Sequence, residues 1–228
     1  MAQIWPLESF LLVNTADVLA SVLPLLKEPL PRCHMLALDI IGQHPDASNP
    51  DRSSIDCITL HLTGNDWRIT YFLDLRALGP AVFTTTDTDG TTLTTIFQHP
   101  QIPKVVFGLD RVSQALYTHF HVRLELAIDI QALAPVALRH FGVPCREVYS
   151  LVGCISLVRE MVAVGSTVDR WLKEAVDKHW EAFPEGRCQV DMMFEERPIE
   201  PWKLKACALV TAVMPVVYGL CQPRIGRL

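Results

Sequence analysis

The run His34-Met35-Leu36-Ala37-Leu38-Asp39-Ile40-Ile41 is nearly all apolar and no longer than a β-strand. A strand with hydrocarbon on both sides must be covered on both faces, which places it inside a sheet sandwiched between other elements. The surroundings supply them. Ala16 to Leu26 reads as a helix with Thr15 as its N-cap, closed by Pro29 and Pro31. Residues 43–54 are rich in Pro, Asn and Asp and read as a loop. Ile55 to Leu62 and Trp67 to Leu73 read as strands, and Gly64-Asn65-Asp66 between them makes the pair a hairpin.

Further along, Leu78 to Phe83 starts a short helix, and Thr84 to Thr92 is a polar loop. Thr92 to Gln98 reads as a helix, Lys104 to Gly108 as a strand and Arg111 to Phe120 as a helix. Leu126 to Leu133 fits either a strand or a strand running into a helix. Val148 to Val162, Val168 to Trp180 and Pro201 to Leu220 read as helices. This order predicts an α/β domain with a mixed sheet, an antiparallel hairpin on one side and helices on the faces.

With 228 residues and 50% hydrophobic content, the chain suits one compact domain, residues 1–228. A net charge of −5 excludes a protein that grips nucleic acid by bulk electrostatics and leaves room only for a local basic patch. The seven cysteines include no C-x-x-C pair, so zinc-type spacing is absent. Their odd number in a chain with a full core points to reduced, buried thiols and an intracellular setting, cytoplasm or nucleus. The N-terminal stretch is interrupted by Glu8, Asn14, Thr15 and Asp17, which argues against a signal peptide. The apolar run Ala206 to Leu220 contains Pro215 and reads as a buried helix, too short to span a bilayer comfortably, so no membrane partner is expected.

Several segments, taken in order, resemble the ribonuclease D-like branch of the DEDD 3′→5′ exonuclease superfamily. Asn14 to Asp17 before a Leu-rich helix resembles the family's opening helix, and Leu36 to Gly42 (LALDIIG) its first strand. Tyr71 to Leu75 (YFLDL) is similar to its third strand, and Leu93 to Lys104 to its short helix, turn and lysine. Asp129-Ile130-Gln131 and Glu196-Arg197-Pro198-Ile199 resemble two later segments. The resemblance implies a ribonuclease H-like fold: a mixed β-sheet flanked by helices, with a helical C-terminal part.

It also implies a test. Enzymes of this family hold two divalent ions with four carboxylates, one ion activating water and the other steadying the leaving oxygen. Hard Mg²⁺ or Mn²⁺ requires those oxygens. Of the family's D-x-E pair, Asp39 is present but Ile41 stands at the glutamate position. The second motif's aspartate, eight residues beyond its lysine, falls on Val112. Asp110 lies two residues earlier, about 200° around a helix, and is a poor substitute as a metal ligand. In the last motif Ala206 replaces the tyrosine or histidine and Val210 the aspartate. One carboxylate of four remains.

Apolar replacements relieve the repulsion and desolvation of a carboxylate cluster that has no metal. The sequence therefore predicts a retained fold and lost catalysis: a pseudo-exonuclease acting as a binding or scaffold module for a protein or an RNA-containing complex. No cofactor is expected. The alternative is residual 3′→5′ exonuclease activity with Mg or Mn at Asp39 and Asp110. Asp74 and Asp129 match family positions outside the metal site and read as structural. His119 and His121 at a helix end are accounted for by the helix dipole, and Cys33-His34 by chance adjacency. Met192, Met193 and Phe194 form an adaptable apolar contact if exposed.

Overall fold

The computed structural model describes residues 9–27, 35–42, 55–63, 68–143, 150–183 and 197–225. The expected loop at 43–54, the hairpin turn at 64–66, Cys33-His34 and Met192 to Phe194 lie outside them.

Six strands form one mixed sheet: β1 (Ser9–Val13), β2 (Leu36–Ile41), β3 (Cys57–Thr63), β4 (Arg68–Asp74), β5 (Lys104–Val106) and β6 (Ala127–Asp129). Their spatial order is β1-β4-β3-β2-β5-β6. β2 lies between antiparallel β3 and parallel β5, the interior position its composition requires. β3 and β4 pair antiparallel, as expected. The hairpin does not form the side of the sheet, however, because β1 adds a parallel edge beyond β4, from Ser9↔Ile69 to Val13↔Leu73. Sequence reading missed β1. Five residues without alternation carry little local signal, and the partner strand is far away in the chain.

The helices are α1 (Ala16–Lys27), α2 (Leu75–Leu78), α3 (Ala81–Thr84), α4 (Leu93–Phe97), α5 (Leu109–Phe120), α6 (Ile130–His140), α7 (Leu151–Val158), α8 (Thr167–Ala182) and α9 (Pro201–Ile225). Thr15 caps α1, its hydroxyl accepting from the Val18 amide at 3.3 Å. The single short helix expected near Leu78 is two, α2 and α3, because Gly79-Pro80 interrupts it. The ambiguous segment from Leu126 is a strand running directly into α6.

Alternation along β2 sorts the side chains into two layers. Leu36, Leu38 and Ile40 face α1, α4 and α5, packing with Leu23, Phe97 and Leu116. Ala37 and Ile41 face the opposite layer, built from α6 to α9. The C-terminal helix is longer than expected: α9 has 25 residues and is long and apolar enough, by length and composition, to cross a membrane. Length is thus no argument against a bilayer, but packing is, since Leu209, Val213, Met214 and Val217 are buried against α6, α7 and α8.

Two aspartates hold the element ends. Asp74 caps α2, accepting from the Arg76 and Ala77 amides at 3.1 and 3.3 Å, and pairs with Arg197 at 2.8 Å. Asp129 caps α6 through Gln131 N at 2.8 Å and also accepts from Gly108 and Leu109 N at 3.0 and 2.9 Å, tying the start of α5 to the end of β6. Gly108 has φ 75° there, and a Cβ would meet Gln131 Oε1 at 3.2 Å. Both carboxylates have the structural roles expected of them. Asp74→Ala should lower stability by about 2–3 kcal/mol, through the lost cap and the lost, partly screened ion pair with Arg197. Urea unfolding measures this; Asp74→Asn, which can still cap, should recover part of the loss.

Candidate functional site: the seam between β2 and α9

Asp39 sits at the middle of β2, half-buried, on the side chain alternation that faces α9. One carboxylate oxygen accepts from the Ile40 amide at 3.0 Å. Directly across the register lies Thr59 of β3, whose hydroxyl is 3.3 Å from the Asp39 carbonyl oxygen and 3.0 Å from the Thr211 hydroxyl of α9. Thr211 in turn reaches the Cys207 carbonyl at 3.1 Å. This chain of hydroxyls pins the last helix to the sheet beside the retained carboxylate.

The other positions where the resemblance implies motif side chains carry hydrocarbon. Ile41 is 3% exposed and packs in one cluster with Phe72, Phe183, Leu204 and Ala206, itself 3% exposed. Val210 is 6% exposed and packs with Ala37, Val105 and Ile130. Ile41 and Ala206 thus share one cluster and Val210 belongs to another. Val112 does not join their clusters: it is fully buried in the opposite layer with Val106 and Leu116. Asp110, in the first turn of α5, is exposed.

Among the described residues, the donors at the seam do not fit a two-metal centre: Mg²⁺ or Mn²⁺ needs several oxygen ligands around one point, and those residues offer one carboxylate and two threonine hydroxyls. Among the described residues, no three of His, Cys, Asp or Glu gather closely enough to hold an ion.

Sequence reasoning missed a second polar group on this face. His61 of β3 is fully buried, with Nδ1 2.9 Å from the Thr70 hydroxyl and Nε2 3.0 Å from the Thr63 hydroxyl. Burial, with the Arg68 charge as a lesser cause, pushes its pKa down to about 3, so the ring is neutral. The only clue was a histidine flanked by apolar and threonine residues in a strand. Cys57, next to the seam, has its thiol pKa pushed far up, by burial first and the Asp74 carboxylate second, which leaves it unreactive. Cys154, Cys207 and Cys221 are likewise buried and outside any disulfide.

The architecture is that of ribonuclease D-type 3′→5′ exonuclease domains, a ribonuclease H-like mixed sheet between helical layers. No family model and no curated protein matches the sequence. Solved structures carry the likeness. Trypanosoma brucei RNase D in complex with RNA U12 matches with a TM-score of 0.66 and 15% identity, over 94% of this chain and 63% of that one. Escherichia coli RNase D matches at 0.58 and 16%, over 96% and 46%. Brucella melitensis NrnC with bound Mg2+ matches at 0.51 and 10%, over 87% and 77%. The chain spans 57% and 63% of the length of the two trypanosomal RNase D complexes. At these identities the likeness establishes the fold.

Proposed function

We propose that this exonuclease-fold domain works by binding, as a scaffold module for a protein or an RNA-containing complex, and does not carry out metal-dependent cleavage. The observation behind the reading is that Ile41, Ala206 and Val210, where the resemblance implies oxygen-bearing side chains, are buried hydrocarbon. Chemistry that moves a phosphoryl oxygen by two metals has no route through alkyl groups. The RNA- and nucleotide-bound states of similarly folded structures support nucleic acid as one class of partner. The buried thiols outside any disulfide support an intracellular setting.

The test is a nuclease assay on labelled single-stranded RNA and DNA with Mg²⁺ and with Mn²⁺. No shortening of the substrate is expected. Metal-dependent 3′→5′ trimming that disappears in folded Asp39→Ala protein would overturn the proposal and establish residual exonuclease activity instead.

A further inference from the structure

We draw no further inference here: the strongest candidate, the aromatic surface patch at the end of α8 and the start of α9, where half-exposed Trp180 and Trp202 are joined through the rings of His179 and Phe183, carries nothing because nothing in the structure shows what covers it.

Discussion

Ile41→Glu should destabilise the chain by on the order of 4 kcal/mol, and Mn²⁺ should not restore it. The substitution returns the carboxylate of the D-x-E pattern two residues after Asp39. In an intact metal site such a group would be neutralised by the ion. Here it would enter a cluster of Phe72, Phe183, Leu204, Ala206 and Cys207, where hydrocarbon leaves no room to hydrate the charge. Thermal melts with and without millimolar Mn²⁺ make the measurement. Equal melting temperatures under the two conditions are expected, because one added carboxylate beside Asp39 still faces Val210 and the Thr59–Thr211 pair. A rise in melting temperature with Mn²⁺ would mean that donors at this seam suffice for a metal, and the non-catalytic reading would lose its basis.

The second large effect is acid lability from His61. Its folded pKa is about 3, against an ordinary value of 6.5, because burial between Thr63 and Thr70 disfavours the imidazolium. The sign follows from proton counting. Between these two values the unfolded chain carries a proton that the folded chain does not, so stability falls as pH drops through the window. Above pH 6.5 the histidine contributes no pH dependence, and below about 3 both states are protonated and the loss is complete. Across the window the loss is on the order of 5 kcal/mol. Urea midpoints between neutral pH and pH 4 read it, with His61→Gln as the control, since glutamine keeps an amide for the hydroxyls but cannot take up the proton. Parallel pH dependences for the two proteins would show that His61 is not the group responsible.

The local signals in this chain were clear wherever a side-chain pattern repeats over neighbouring residues. The run Leu36 to Ile41 announced an interior strand, Thr15 a helix start, and the Asp74 and Asp129 positions two element ends. The hydrocarbon at Ile41, Val112, Ala206 and Val210, where the resemblance implies polar motif side chains, was likewise legible, because it concerns what a side chain is made of. The hairpin was legible as a pair but not as an inner part of the sheet, since β1 joins it through contacts that no local periodicity encodes. The three-residue strand β6 merged into α6 for a similar reason: it is too short to show a period of its own.

Sequence alone determined the composition of each strand and helix and the apolar side chains at Ile41, Val112, Ala206 and Val210, because both are properties of covalent structure and near neighbours. Only tertiary structure decided that Ile41 and Ala206 share one buried cluster while Val112 lies in the other layer. The same holds for the hydroxyl chain from Thr59 to Thr211 and for the neutral state of His61. Those facts depend on burial and on partners distant in the chain. Desolvation and hydrogen-bond geometry exist only once the sheet and α9 have come together.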